Sequence, residues 1–254
     1  MSGSHGHALF VHAHSPLHRL SPQVKIAAAL VMLGAGISTP RTAFWAFAAY
    51  ALVLLALVVI ARIPIRFLLS RMLVLAPFAL LALLFPVFGA DPRVEVFGLL
   101  LSEQGLWDMW NLLAKASLGL VTAILLGAST EIADLLRGFD SLRVPRLVTA
   151  ILGFMVRYID VVVGDLNRMR LALAARGHQG SSIAHWGPYG RAMGTMFIRT
   201  YERGERVYLA MESRGYAGEM PASSRVKATP GEWGFALLVA GCFWAVAITA
   251  GLTT

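Results

Sequence analysis

Long apolar runs and amphipathic stretches succeed one another along this chain. Residues 43–61, 72–90 and 234–252 are apolar throughout. Each is close to the length of about 20 residues that a helix needs to cross the hydrocarbon core of a bilayer. The second run contains Pro77 and Pro86, which predict kinks. These three runs predict membrane-spanning helices.

Two further apolar runs are less regular. Residues 26–39 are short, but the helix can extend back through residues 21–25, with Pro22 in its first turn, where proline is tolerated. Residues 112–128 carry Lys115 near one end, where a long side chain can reach the membrane interface. We therefore expect five spans and an all-α integral membrane protein.

The segment between the fourth and fifth spans has the pattern of amphipathic helices. In residues 157–176 and 191–214, apolar side chains recur every three or four positions between charged ones. A shorter amphipathic helix is predicted for residues 131–137. Residues 177–190 and 215–231 are rich in Gly, Ser and Pro and are predicted to be loops.

The stretch 146–163 is ambiguous, because it is nearly apolar enough for a span but contains Arg157 and Asp160. We interpret it as an amphipathic helix that lies under the membrane. The predicted organisation has four parts: a His-rich tail at residues 1–23, four transmembrane helices within residues 24–130, a cytoplasmic domain of long amphipathic helices at residues 131–232, and a fifth transmembrane helix at residues 233–254.

Composition supports the membrane assignment. The chain is 57% hydrophobic and 14% charged, whereas soluble domains carry about 25% charged residues. The net charge of +8 does not indicate a nucleic-acid partner, because the cations are mostly arginines and form no Lys-rich arm. Cys242 is the single cysteine, so no disulfide framework is expected. No signal-peptide pattern precedes the first apolar run.

The charges of the short loops predict the orientation. Arg62, Arg66 and Arg71 follow the second span with no acidic residue among them. The loop between the third and fourth spans, taken to include Glu103 and Asp108, holds four acidic residues and one arginine. The positive-inside rule then places the N-terminus in the cytoplasm and the C-terminus outside.

One nine-residue pattern occurs twice, 38 residues apart, as ALAARGHQG ending at Gly180 and AMESRGYAG ending at Gly218. Each copy ends a predicted amphipathic helix. Gly177 and Gly215 suit the left-handed residue that closes a helix. The arginine before each glycine would lie on the last turn, where a cation complements the exposed carbonyls.

Helix capping alone does not explain the repetition, because the similarity extends upstream of the cap. Arg168 aligns with Arg206, and Leu171 aligns with Leu209. A guanidinium at a helix end can bind a carboxylate through two parallel hydrogen bonds. Two such ends indicate two similar binding sites, and therefore a partner that is present in two copies.

These features resemble the T component of energy-coupling factor (ECF) ABC transporters, the CbiQ/EcfT family. The family signature is a pair of Ala-Arg-Gly-type motifs at the ends of cytoplasmic coupling helices. The segment SPLHRLSPQVK, residues 15–25, also resembles the family, which often has Asp where Ser21 stands. The two motifs of this chain are Ala175, Arg176 and Gly177, and Ser213, Arg214 and Gly215, with Ser213 in place of alanine.

The resemblance implies a multi-pass scaffold of the bacterial cytoplasmic membrane. Such a scaffold couples two cytoplasmic ABC ATPase subunits to a separate substrate-binding membrane subunit, and each motif arginine docks into a groove on one ATPase. The chain is not expected to be an enzyme or to hold a cofactor, since it has no phosphate-binding G-x-x-x-x-G-K-[ST] loop and the partner subunits would use the ATP.

The family includes systems for cobalt, nickel, biotin and many vitamins. The compact length and the His-rich tail favour cobalt, with a CbiM-like substrate-binding subunit and, in some such systems, a small CbiN-like subunit. Imidazole suits cobalt and nickel, but a His-rich polar tail is more typical of weak adventitious binding than of a structured site. The weak candidate ligands are His5, His7, His12 and His14.

Two other classes of protein fit a chain of this composition. A stand-alone permease would need polar, substrate-facing residues near the middle of its spans, and residues 43–61 and 234–252 have none that are charged. An intramembrane enzyme would need a catalytic motif, and neither His-Glu-x-x-His nor Gly-x-Ser-x-Gly is present. Co-purification with ATPase subunits would separate a T component from both.

Overall fold

The computed structural model describes residues 15–89, 92–96, 99–178, 186–217 and 228–253. Two compact units can be distinguished. One comprises the helices within residues 142–225, and the other comprises the helices before residue 142 together with the C-terminal helix. Each unit is described separately below.

The larger unit is a helical bundle with one short hairpin. Its described residues form four long helices and several shorter elements, and a turn of 3₁₀ helix at Leu73–Leu75 connects two of the shorter helices. In chain order the elements are α1 (Pro16–Arg19), α2 (Pro22–Ser38), α3 (Phe44–Ile60), α4 (Ile65–Met72), α5 (Ala76–Ala82), α6 (Phe85–Phe88), β1 (Arg93–Val96), β2 (Leu99–Ser102), α7 (Glu103–Ser129), α8 (Ile132–Ser141) and, at the C-terminus, α11 (Pro230–Thr253).

The described part of the smaller unit contains two long helices, α9 (Arg146–Ala175) and α10 (Trp186–Glu212). This unit begins later than the predicted cytoplasmic domain, which starts at residue 131. The reason is that α8 packs against α2 in the larger unit. A Cβ added at Gly138 of α8 would lie 2.7 Å from Ile26 Cδ1, so the two helices approach closely there.

Within the described ranges, four helical segments are long and apolar enough to cross a membrane: 65–88, 103–129, 146–175 and 230–253. The apolar helices α2 and α3 are shorter, at 17 residues each. Each of the five predicted spans overlaps one or more of these helices, and the chain is a multi-pass, all-α membrane protein whose described residues contain one short hairpin.

Helix α9 adds a sixth apolar segment. It is a single helix of 30 residues, none of them buried within the protein. Its apolar part contains Arg157 and Asp160 as its only charges between positions 147 and 164, and two charges do not lower its mean hydropathy below that of a span. That α9 lies under the membrane stays a prediction.

The structure confirms the predicted kinks and changes two predicted helix boundaries. The kinks expected at Pro77 and Pro86 are confirmed, because α5 and α6 each begin with a proline in the first turn. Helix α7 begins at Glu103 rather than near residue 112, since Ser102 caps it by accepting a hydrogen bond from Gly105 N at 3.1 Å. Glu103 and Asp108 thus lie on a helix, not in a loop. Helix α10 begins at Trp186, inside the predicted loop 177–190.

The buried centre of the larger unit is built around α3. Tyr50 is fully buried, and its ring stacks on Phe243 of α11 with the centroids 4.6 Å apart. The Tyr50 hydroxyl lies 2.9 Å from Thr39 Oγ1 and donates to the Phe243 carbonyl at 3.2 Å. The hydrogen bonds of the Tyr50 hydroxyl therefore hold α11 against α3 and against the end of α2.

Two lysines anchor α2 and α7 reciprocally. Lys25, near the start of α2, donates to the Ser129 carbonyl at the end of α7 at 2.8 Å. Lys115 of α7 donates to the Ile37 carbonyl at the end of α2, also at 2.8 Å. Each ammonium therefore satisfies a helix-terminal carbonyl that has no partner within its own helix. Lys115, which we expected to reach the interface, instead has this specific partner.

Candidate functional site

The first motif ends α9 as a Schellman cap. Gly177 has a φ of +81°, a conformation that costs residues with a Cβ about 1–2 kcal/mol. Its N–H donates to the Ala174 carbonyl at 3.0 Å, and the N–H of His178 donates to the Leu173 carbonyl at 3.0 Å. This pair of bonds defines the Schellman motif. The predicted left-handed glycine is confirmed.

The second motif ends α10 in the same way. Gly215 has a φ of +86° and donates to the Glu212 carbonyl at 2.9 Å. Tyr216 N donates to the Met211 carbonyl at 3.0 Å, and its ring meets Tyr208 edge to face at 6.5 Å between centroids. The two copies of the sequence pattern therefore have the same backbone geometry.

Both motifs lie at the surface. Ala175, Arg176, Ser213 and Arg214 are all exposed. The Ser213 hydroxyl donates to the Ala210 carbonyl of its own helix at 3.0 Å, so serine here adds no free polar group and can replace the alanine of the first motif. The final glycines of the two patterns, Gly180 and Gly218, lie outside the described residues.

The side chains of the two motif arginines have no partner among the described residues. Within these ranges, Arg176 and Arg214 donate only through their backbone N–H groups, to the Leu173 and Met211 carbonyls. Two carbonyls at the end of each helix, those of Leu173 and Ala174 in α9 and of Met211 and Glu212 in α10, already accept backbone N–H groups. Both guanidinium groups are therefore available to a binding partner.

An ion-paired cluster links the two helices. Arg203 of α10 donates to Asp165 Oδ2 of α9 at 3.1 Å, and Arg168 donates to Asp165 Oδ1. The side chains of Asp165 and Arg203 are 25% and 32% exposed. The Asp165 carboxylate thus accepts hydrogen bonds from one arginine of each helix.

An open cleft of about 360 Å³ lies between α9 and α10. Its walls include three arginines and one carboxylate, so the cleft carries an excess of positive charge and suits an anionic group. Sequence reasoning missed Arg199, because no arginine occupies the aligned position in the first repeat. The charged and hydroxyl groups on the walls are Asp165, Arg168, Arg176, Thr195 and Arg199.

The predicted metal ligands cannot be placed. The candidates His5, His7, His12 and His14 lie outside the described residues. Among the residues that are described, no group of three or more His, Cys, Asp or Glu side chains could hold a metal ion. His18 lies 2.8 Å from Ser15 Oγ, through its Nδ1.

These observations define a class of protein. It is a multi-pass membrane protein that presents two identically capped helix ends, each with an arginine whose side chain has no partner among the described residues. The sequence profile of the CbiQ family, described as "Cobalt transport protein", matches residues 13–225. The chain therefore belongs to the CbiQ/EcfT family, the energy-coupling membrane components of ECF transporters. Members of this family act with ATPase and substrate-binding subunits and are not themselves catalytic.

Similar proteins come from archaea and bacteria. A putative fused cobalt transport protein CbiMQ of Methanocorpusculum labreanum is 26% identical over 81% of this chain and 36% of its own length. This chain therefore corresponds to about a third of that fused protein. The energy-coupling factor transporter transmembrane protein EcfT of Bacillus selenitireducens is 27% identical over 89% of this chain and 87% of its own. The EcfT protein of Staphylococcus aureus is 23% identical over 83% of both chains.

Proposed function

We propose that this chain is the T subunit of an ECF-type importer in the bacterial cytoplasmic membrane, and that Arg176 and Arg214 each engage one of two ATPase subunits. The observation that carries the proposal is the repeated helix end. Two helices of one chain close with the same cap, and each exposes an arginine side chain that has no partner in the part of the chain that the structure describes. Such a pair matches a partner that is present in two copies.

The chemistry of the helix ends supports a role in binding. A Schellman cap satisfies the terminal carbonyls without the arginine side chain, so capping does not require the guanidinium. Arginine can form two parallel hydrogen bonds with a carboxylate, which lysine cannot do in the same geometry. We expect each motif, Ala175–Gly177 and Ser213–Gly215, to enter an acidic groove on its ATPase.

The proposed topology keeps both motifs in the cytoplasm. The N-terminus and residues 131–232 lie inside, and the C-terminus lies outside, as the charges of the short loops indicate. The chain itself binds no cofactor in this proposal. ATP is bound and hydrolysed by the two partner subunits, and the movement is passed to the membrane through α9 and α10.

The proposed cargo is a transition-metal ion, and cobalt is the first candidate. The family description and the printed name of the Methanocorpusculum relative both refer to cobalt transport. We expect a CbiM-like substrate-binding subunit, with or without a small CbiN-like subunit, to bind the ion. The alternatives are nickel, biotin and a vitamin system with shared subunits, since the EcfT relatives carry no substrate in their names.

Removal of the motif arginines tests the proposal. At an exposed helix end an arginine contributes only about 0.3–1 kcal/mol to folding, whereas loss of one partner of a buried interfacial charge pair costs about 2–5 kcal/mol. Arg176→Ala or Arg214→Ala should thus leave the protein folded and inserted while weakening ATPase capture and uptake. The double variant should lose both ATPases, and lysine should rescue poorly.

Arg170→Ala is the matched control. Arg170 is exposed on the same helix and lies outside the motif, so its removal should change capture little. Co-purified subunits identified by mass spectrometry give the partners, and uptake of radioactive cobalt, nickel and biotin gives the cargo. A double Arg176→Ala, Arg214→Ala protein that keeps both ATPases and full uptake would refute the role of the motifs.

A further inference from the structure

The ion pair between α9 and α10 joins equivalent positions of the two repeats. Asp165 and Arg203 are 38 residues apart, which is the offset between the two motifs. Asp165 precedes Arg176 by eleven residues, and Arg203 precedes Arg214 by the same eleven. The ion pair therefore lies at the same distance, in residues, from the motif arginine of each helix.

Each arm from the ion pair to its motif arginine is helical over nearly its whole length, because α9 runs to Ala175 and α10 to Glu212. Eleven residues of α-helix measure about 16 Å. The two motif arginines thus lie at equal distances from one fixed point. This arrangement suits a pair of identical sites related by a two-fold axis through that point.

The residues around the pair are also equivalent. Arg168 follows Asp165 by three positions and binds its carboxylate. Arg206 follows Arg203 by the same three positions and lies 3.9 Å from Glu202, one turn earlier in α10. The two repeats therefore share an arginine at this supporting position and differ in the sign of the central charge.

We propose that the Asp165–Arg203 pair is a positioning link that holds the two motif arginines in register, so that both ATPases can be engaged at once. The role of this link rests on the proposed function, whereas the contact between Asp165 and Arg203 is observed independently of it. When either partner is replaced, α9 and α10 lose the ion pair that joins them eleven residues before each motif arginine. The positions of Arg176 and Arg214 relative to one another are then less restrained, although the Tyr189 hydroxyl of α10 still donates to the His178 carbonyl at 3.5 Å.

Charge exchange provides the test. Asp165→Arg and Arg203→Asp each place like charges at the contact, whereas the double exchange restores an opposite pair with its direction reversed. The repeat makes the exchange well matched, because Arg206 stands three positions after the aspartate introduced in α10, just as Arg168 follows Asp165 in the native chain. Asp165→Asn removes the charge without adding repulsion and covers the case in which Asp165→Arg fails to insert.

Spin labels at equivalent exposed positions report the geometry. Leu171 and Leu209 are 71% and 60% exposed and again 38 residues apart. Cysteines at both positions, in a Cys242→Ser background, allow the distance between the two helices to be measured in the full-length protein in nanodiscs. Glu202→Gln is the control, since it removes a solvent-exposed pair within α10 alone.

We expect a narrow distance distribution for the native chain and for Glu202→Gln. Asp165→Asn and each single reversal should broaden it and reduce the yield of complexes with two ATPases about tenfold, within the range of couplings between contacting residues. The double exchange should restore both readouts. The link is refuted if Asp165→Asn leaves the distribution unchanged, or if the double exchange is as defective as the single reversals.

The two proposals fail separately. If the native chain captures no ATPases, the proposed function is wrong, and the distance distributions still decide whether the link holds the helices. If the native chain captures two ATPases and Asp165→Asn does so equally well, the function stands and the link has no part in it.

Discussion

Replacement of Gly177 by alanine isolates the conformational requirement at the end of α9. A Cβ at this position would have no heavy atom within 4 Å, so no steric clash contributes. The φ of +81° is the only obstacle, and it costs a residue with a Cβ about 1–2 kcal/mol. The last turn of α9 should therefore open about 5–30 times more often.

Gly153→Ala is the matched control, with the opposite sign. Gly153 lies within α9, and a Cβ there also meets nothing within 4 Å. Alanine in a helix interior is more favourable than glycine by about 0.5–1 kcal/mol. The same pair can be made in α10, where Gly215→Ala should loosen the helix end and Gly204→Ala should stabilise the helix.

Hydrogen exchange measured by mass spectrometry on the purified full-length protein gives the answer. The peptide that covers residues 173–178 should exchange faster in Gly177→Ala, by the factor given above, and no faster in Gly153→Ala. ATPase capture should fall in Gly177→Ala, because the cap positions Arg176. Unchanged or slower exchange in Gly177→Ala would refute the requirement for a left-handed residue.

The remaining predictions concern the larger unit and the topology. Glu232→Gln should lower the free energy of unfolding by about 1–3 kcal/mol, since the Glu232 carboxylate accepts bonds from Ser21 N, Ser21 Oγ and Thr229 N. Thermal unfolding in detergent measures this, with the exposed Glu205→Gln as the control, and an equal midpoint for both would contradict it. A reporter fused after the C-terminus should be active only outside the cytoplasm, and cytoplasmic activity would instead indicate that α9 crosses the membrane.

The ends of α9 and α10 could be predicted from the local sequence. Gly177 and Gly215 were recognisable because a left-handed residue after an amphipathic helix is a local requirement that glycine meets. Pro77 and Pro86 predicted the breaks before α5 and α6 for a similar reason, since proline removes a backbone donor wherever it stands. The roles of the motif arginines stay predictions, because a surface side chain has its partner on another protein.

Features that depend on distant residues were harder to predict. The partners of Lys25 and Lys115 are backbone carbonyls, which leave no mark in the sequence. Ser102 as the cap of α7 was missed because its helix starts with polar residues, outside the apolar run. The Asp165–Arg203 pair did have a signal, since opposite charges stand at positions 38 residues apart, but nothing in one sequence showed that α9 and α10 meet there.

The polar contacts at the start of α2 have a consequence for how the chain is made. The carbonyl that Lys25 binds belongs to Ser129, which is synthesised 104 residues later. The carboxylate that Ser21 binds belongs to Glu232, which is synthesised 211 residues later. At about 5–20 residues per second, a ribosome needs roughly 10–40 s to supply the second partner. Helix α2 is therefore synthesised long before its two polar partners exist. Chains released before residue 232 lack the Ser21–Glu232 contact, so the start of α2 keeps these polar groups without their native partner until the C-terminal helix has been made.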